Sequence, residues 1–150
     1  MGTAFQDIIS FAIEWEKESA KLYKEMGKLA IKPNAKLMFR AFEEEEIKHR
    51  EILENLTPEK TAKIKPQKII DLKISNYLID MTFKPDIEYQ DALIIAMKRE
   101  EKAVKMYTDL LEKIDDSEVQ KLIQFLIQEE SNHKLRLETE YDDNILSQKY

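Results

Sequence analysis

Apolar residues recur at steps of three and four along four stretches of the chain, the spacing of one face of an α-helix. The first stretch covers residues 5–30 and ends before Pro33. The second runs from Met38 to Leu56, the third from Leu93 to Ile114 and the fourth from Val119 to Tyr141. The pattern predicts an all-α protein with four long helices.

The connections between these stretches predict how the helices are arranged. The first and second helices, and the third and fourth, are joined by only a few residues, which favours two antiparallel hairpins. Ser117 is the predicted N-cap of the fourth helix. Residues 57–86 contain three prolines and a predicted short helix at Ile69–Met81. A connection of this length can return along the bundle, so we expect one domain over residues 1–150, a four-helix bundle with a long crossover.

Charged and imidazole side chains interrupt the apolar face of every predicted helix. Two of the helices carry a Glu-x-x-His motif, whose members share a helix face and can reach one metal ion. Several buried carboxylates would need compensation by cations. Carboxylate oxygens with one imidazole per ion suit iron or manganese better than structural zinc. The candidate ligands are Glu16, Glu46, His49, Glu100, Glu130 and His133.

These positions repeat within the chain. The spacing from Glu16 to Glu46 recurs between Glu100 and Glu130, and the two histidines are 84 residues apart, as are Glu16 and Glu100. The repeat predicts two copies of one helical hairpin. A tyrosine follows each first-position glutamate by seven residues, Tyr23 and Tyr107.

The same residues also allow simpler interpretations. A lone Glu-x-x-His motif is weak evidence in a glutamate-rich chain, and a polar core can be purely structural. Tyr23 and Tyr107 could fill the core or donate hydrogen bonds near a metal. Glu45 and Glu129 precede candidate ligands directly, and solvent exposure is the favoured interpretation for both. Trp15 is expected to be a packing residue.

The amino-acid composition excludes several classes of function. The chain has no cysteine, which excludes disulfides, thiolate zinc sites and iron–sulfur centres within it. Its formal net charge of -6 argues against nucleic acid as the main partner. No apolar run is long enough to span a bilayer, and the first residues do not resemble a signal peptide. We expect a cytoplasmic protein.

The motifs together resemble the rubrerythrin branch of the ferritin-like superfamily. The matching segments are Ala12 to Tyr23, Glu46 to His49, Glu100 to Tyr107 and Glu130 to His133. The resemblance implies a ferritin-like fold with two iron ions per chain, although manganese or a mixed pair is possible.

By the same resemblance each candidate ligand receives a role. Glu16 and Glu100 would be terminal ligands, Glu46 and Glu130 would bridge the ions, and each histidine would bind one ion. The chain departs from rubrerythrins in two respects. Ala103 stands where they have a further glutamate, and the cysteine-bearing rubredoxin domain is absent from this sequence.

The implied function is that of a diiron-carboxylate oxidoreductase. It would reduce hydrogen peroxide or oxygen with electrons from an external donor such as a rubredoxin or a reductase, and the family suggests a homodimer. The alternatives are a ferroxidase that handles or stores iron, and a helical interaction domain without catalytic activity.

Overall fold

The computed structural model describes residues 4–56 and 86–149, with side chains from residue 6 to residue 144. These residues form four helices and no strand: α1 (Ala4–Leu29), α2 (Pro33–Glu54), α3 (Tyr89–Leu111) and α4 (Ser117–Lys149). The all-α prediction is therefore confirmed. In this part of the chain no helix is both long and apolar enough to cross a membrane.

The helix ends follow from local chemistry. Pro33 opens α2, where its missing N–H is not needed by the helix. The prediction that Ser117 caps α4 is wrong by one residue. The cap is Asp116, whose Oδ1 accepts the N–H of Val119 at 3.0 Å and whose carbonyl accepts the N–H of Gln120 at 2.9 Å.

Two apolar layers, one near each end of the bundle, show in which direction each helix runs. The first layer joins the starts of α1 and α4 to the ends of α2 and α3, through buried residues such as Ile8, Leu53, Leu110 and Ile123. The second layer joins the opposite ends, through residues such as Met26, Phe39, Leu93 and Leu137. Helices α1 and α4 therefore run in one direction and α2 and α3 in the other.

The two layers also show how far the crossover has to reach. Leu53, at the end of α2, belongs to the first layer, whereas Leu93, near the start of α3, belongs to the second. The end of α2 and the start of α3 thus lie at opposite ends of the bundle. The connecting residues 57–85, including the short helix predicted at Ile69–Met81, lie outside the described residues.

Arg99 on α3 joins α3 to α1 at mid-bundle. Its guanidinium carbon lies 4.2 Å from the centroid of the Trp15 ring, within cation–π range. Its Nη2 donates to the Trp15 carbonyl at 3.3 Å and to the Ser19 hydroxyl at 3.1 Å. These contacts hold together the segments of α1 and α3 that carry Glu16 and Glu100.

Candidate metal centre

A polar layer separates the two apolar layers. It consists of the six predicted ligands, and each is at most 2% exposed: Glu16, Glu46, His49, Glu100, Glu130 and His133. One glutamate comes from each of α1 and α3, and one Glu-x-x-His pair comes from each of α2 and α4. The structure therefore brings together every residue that the sequence singled out.

The six side chains form two overlapping groups of potential ligand atoms. The first group is Glu16, Glu46, His49 and Glu130, and the second is Glu46, Glu100, Glu130 and His133. Within each group the ligand atoms all lie within 4.8 Å of one another. Glu46 and Glu130 belong to both groups, which is the position required of carboxylates that bridge two ions.

The hydrogen-bond partners of the four carboxylates divide them into the same two classes, those in both ligand groups and those in one. Among the described residues, neither oxygen of Glu46 or Glu130 has a hydrogen-bond partner, whereas Glu16 and Glu100 each have one unpartnered oxygen, Oε2. Buried carboxylate oxygens without partners are costly, and a cation is the partner that such oxygens accept. Two free oxygens suit a bridging ligand, and one free oxygen suits a terminal ligand.

The histidines turn the same nitrogen inward. Nδ1 of His49 lies 2.7 Å from Oε1 of Glu130, and Nδ1 of His133 lies 2.9 Å from Oε1 of Glu46. Both Nδ1 atoms lack a hydrogen-bond partner within the described part of the chain, despite these short distances. Each imidazole therefore approaches the glutamate of the opposite Glu-x-x-His motif and turns its Nδ1 towards the cluster.

The outer nitrogens contact Glu45 and Glu129, which corrects the expectation that these two glutamates are merely solvent-exposed. Nε2 of His49 lies 3.5 Å from Oε1 of Glu129, and Nε2 of His133 contacts Oε2 of Glu45. The side chain of Glu129 is only 26% exposed and that of Glu45 34%. A carboxylate that accepts the Nε2 proton leaves Nδ1 free to bind metal.

The two tyrosines both fill the core and donate hydrogen bonds. Tyr107 donates to Oε1 of Glu16 at 2.6 Å, and Tyr23 donates to Oε1 of Glu100. Each tyrosine thus contacts the terminal glutamate of the other hairpin. At 1% and 0% exposure, Tyr23 and Tyr107 are also buried in the apolar layers that flank the polar layer.

Burial strongly perturbs the shared carboxyls. Burial raises the pKa of Glu46 well above its ordinary value, and the nearby Glu16 and Glu100 raise it further. Burial likewise raises the pKa of Glu130, with repulsion from Glu100 and Glu16 adding to it. The protein without metal therefore disfavours negative charge on the two glutamates that belong to both ligand groups.

The pKa values of Glu100 and His133 shift in the directions that favour their charged forms. Burial acts to raise the pKa of Glu100, but the interactions of this carboxyl with Glu130 and His133 outweigh burial and lower that pKa. Burial acts to lower the pKa of His133, but the carboxylates of Glu100 and Glu45 raise it to about 10. Protons thus balance the buried charge without metal, and two divalent cations could replace them.

The chemistry of the donor set fits a pair of divalent ions. Each ligand group offers several carboxylate oxygens and one imidazole nitrogen, which suits iron or manganese. Ala103 is 1% exposed and belongs to the first apolar layer, so this position adds no carboxylate to the cluster. The binding of metal by these six residues remains a prediction of the sequence that the geometry accommodates.

Structural neighbours share the fold. A crystal structure at 2.30 Å from Thermotoga maritima, provisionally described as a ferritin-like diiron-carboxylate protein, is 19% identical with a TM-score of 0.73, covering 96% of this chain and 97% of its own. A hypothetical protein from Pyrococcus furiosus is 23% identical with a TM-score of 0.67, covering 90% of this chain and 86% of its own. These likenesses confirm the predicted ferritin-like bundle.

Sequence comparison tests the family. No match among curated protein sequences reaches significance. The family model named Rubrerythrin matches residues 7–141, which include all six candidate ligands. Together with the buried pair of ligand groups, this match indicates a two-metal site and confirms the resemblance drawn from the motifs: the chain belongs to the rubrerythrin family.

Proposed function

We propose that this protein is a diiron oxidoreductase that reduces hydrogen peroxide or oxygen with electrons from an external donor. The observation that carries the proposal is the division of unpartnered atoms. Glu46 and Glu130 have two free oxygens each, Glu16 and Glu100 have one, and both histidines present a free Nδ1. Such a set supports two ions held side by side.

The chain's own residues have separate tasks in this proposal. Glu16 and Glu100 bind one ion each, and the tyrosine hydroxyl on their other oxygen fixes their orientation. Glu45 accepts the Nε2 proton of His133, and Glu129 that of His49, so that both imidazoles keep the tautomer with a free Nδ1. The apolar layers on either side exclude water from the polar layer.

Peroxide reduction requires two electrons and two protons for each pair of water molecules formed. A pair of iron(II) ions held by these six residues would supply the two electrons at once. Because the chain contains no cysteine, it has no thiol or iron–sulfur centre of its own to replace them. We propose an external reductase or rubredoxin as the donor, and the cytoplasm is the compartment where we expect both.

Anaerobic loading with iron(II), followed by addition of peroxide or oxygen, tests the proposal. We expect two irons per chain and rapid oxidation, followed by absorption spectroscopy, with peroxide consumed in a one-to-one ratio to iron pairs. The variant Glu46→Ala, loaded in the same way, is the control for iron that is not bound at the site. An iron-loaded protein that consumes neither oxidant would contradict the proposal.

Iron storage is the alternative that the same experiment must separate. Storage requires a closed shell of many subunits and many irons per chain, whereas we propose a homodimer that keeps two irons per chain through repeated cycles. Size-exclusion chromatography and metal analysis after ten oxidation cycles distinguish the two. A large assembly that accumulates iron would support storage instead.

A further inference from the structure

A groove of about 280 Å³ lies between α1 and α2 on the outside of the bundle. Among the lining side chains that reach solvent, four are cationic, namely Lys17, Lys21, Lys24 and Arg50, and one is anionic, Glu43. The three lysines follow one another at helical spacing along α1, so they face α2 as a row. The groove thus has a surplus of positive charge in a protein with a net charge of -6.

The inner wall of this groove belongs to the candidate metal centre. Glu16 and Glu46 are among its lining residues, and both are fully buried. The groove therefore ends against two ligand-bearing residues without opening into the cluster itself. Ala20, on the same wall, leaves the space that a larger side chain would fill.

Two of the four cations are already paired. Lys17 lies 3.2 Å from Oε1 of Glu14, and Nε of Arg50 lies 2.9 Å from Oε1 of Glu54. No described residue forms an ion pair with Lys21 or Lys24. These two ammonium groups are therefore the ones with charge to offer a ligand.

The groove between α3 and α4 is a natural comparison, because the 84-residue repeat relates the two. There Glu101 occupies the position of Lys17, and Val104 that of Ala20. Lys134 occupies the position of Arg50 and is paired with Glu138 at 2.6 Å. The lining of this second groove includes neither Glu100 nor Glu130. Of these two grooves, the α1/α2 groove is the one that combines excess positive charge with contact to ligand-bearing residues.

We propose that the α1/α2 groove is a binding site for a small inorganic oxyanion, held by Lys21 and Lys24 with Arg50 and Lys17 contributing positive potential. The groove has room for such an ion, and its described lining residues offer two unpaired ammonium groups but no aromatic ring on which a nucleotide base could stack. The site lies one layer of side chains away from the metal pair. It goes beyond the proposed function, because it requires neither turnover nor a particular metal.

The same charges argue against the groove as an entrance for iron. A divalent cation would be repelled by the unpaired ammonium groups, whereas an anion is drawn to them. The α1/α2 groove is therefore an anion site beside the metals and not a route by which the metals arrive.

Titration with sodium sulfate, followed by amide and side-chain NMR at constant ionic strength, tests the site. Both the metal-free and the zinc-loaded protein are used, since zinc is diamagnetic and sulfate is a poor ligand for it. We expect saturable shift changes along residues 17–24 and 43–50. The double variant Lys21→Glu and Lys24→Glu should weaken sulfate binding by about three- to tenfold.

The matched control is the double variant Lys105→Glu and Lys134→Glu. It changes the net charge by the same amount, and its positions are the counterparts of Lys21 and Arg50 in the other hairpin. We expect its sulfate affinity to stay within twofold of the original protein. Equal weakening in both variants, equal shifts in both grooves, or no saturable shift would each overturn the proposal, whatever the outcome of the peroxide experiment.

Discussion

The two hairpins of this bundle are alike inside and different outside. Five polar residues of α1 and α2 in or beside the polar layer have an identical counterpart 84 positions later: Glu16 and Glu100, Tyr23 and Tyr107, Glu45 and Glu129, Glu46 and Glu130, His49 and His133. Even their contacts are exchanged, since each tyrosine bonds the other hairpin's terminal glutamate. A site for two ions needs the same ligands twice, which a repeated hairpin supplies.

The differences lie where the hairpins meet each other or the solvent. The counterpart of Trp15 is Arg99, and these two residues stack on one another between α1 and α3. The counterpart of Ser19 is Ala103; Ser19 bonds Arg99, whereas Ala103 packs in an apolar layer. The two hairpins therefore have identical residues at the ligand positions. They differ where a single contact, between Trp15 and Arg99, joins two helices.

The largest expected effect comes from removing a carboxylate that belongs to both ligand groups. It tests whether the two hairpins contribute equally to the metal site. Glu46→Ala should abolish binding of both ions, because Glu46 belongs to both ligand groups, and Glu130→Ala should do the same. Metal analysis after anaerobic loading should fall from two ions per chain to fewer than one in each variant. The control is Glu44→Ala, an exposed position on α2. A large difference between the two hairpins would disprove their equivalence.

The second-largest expected effect is a loss of folding stability when the metal is removed. Four buried carboxyls approach one another here, so an ion that binds only the folded state stabilises it. At about 100 times Kd the gain is about 2.7 kcal/mol, or about 5–10 °C in Tm for a chain of this size. Differential scanning calorimetry with and without manganese(II) measures it. The Glu46→Ala variant should show no such increase, and an equal increase there would place the ion elsewhere.

Glu45 and Glu129 should matter less than the ligands that they support. Because each accepts the outer imidazole proton, we expect Glu45→Ala and Glu129→Ala to weaken metal binding by about 10–100-fold without abolishing it. Competition with a chelator of known affinity gives the constants. Glu45→Gln, which keeps an acceptor oxygen, should lose less. An unchanged metal affinity in both alanine variants would show that these contacts do not support metal binding.

Glu45 and Glu129 also show what the sequence could not reveal. Helical periodicity was enough for the four helices and for all six inward-facing candidates, because each lies on its own helix's apolar stripe. Glu45 lies beside that stripe and reaches a histidine on another helix, a contact that depends on α2 and α4 being neighbours. The 84-residue repeat was the available signal, since both glutamates occupy equivalent positions.

The N-cap of α4 was predicted one residue too late because two neighbouring residues can both cap a helix. Asp116 and Ser117 are both good N-cap residues, and composition alone does not choose between them. The structure selects Asp116, because its side chain reaches the N–H of Val119. Sequence spacing fixes which helix a residue belongs to more firmly than it fixes the last hydrogen bond of a turn.

The tyrosines offer a finer comparison of the hairpins. Tyr23→Phe and Tyr107→Phe each remove one hydroxyl and leave a buried carboxylate oxygen without its donor, which should cost about 1–2 kcal/mol. Urea denaturation of the metal-loaded protein measures the loss, and the two variants should agree. Tyr141→Phe, farther from the cluster on α4, is the control. Unequal losses would show that the polar layer is less symmetric than its geometry.

The smallest expected effect tests the asymmetric contact. Arg99→Lys keeps the charge but loses the planar group that stacks on Trp15 and bonds Ser19, so we expect a loss of about 0.5–1 kcal/mol. Trp15 is the only tryptophan in the chain, so its fluorescence reports this change directly. Its emission should shift in Arg99→Lys and stay constant in the exposed control Arg40→Lys. Because Glu16 and Glu100 directly follow Trp15 and Arg99, a fluorescence change without any change in metal affinity would mean that the ligands are positioned by the tyrosines alone.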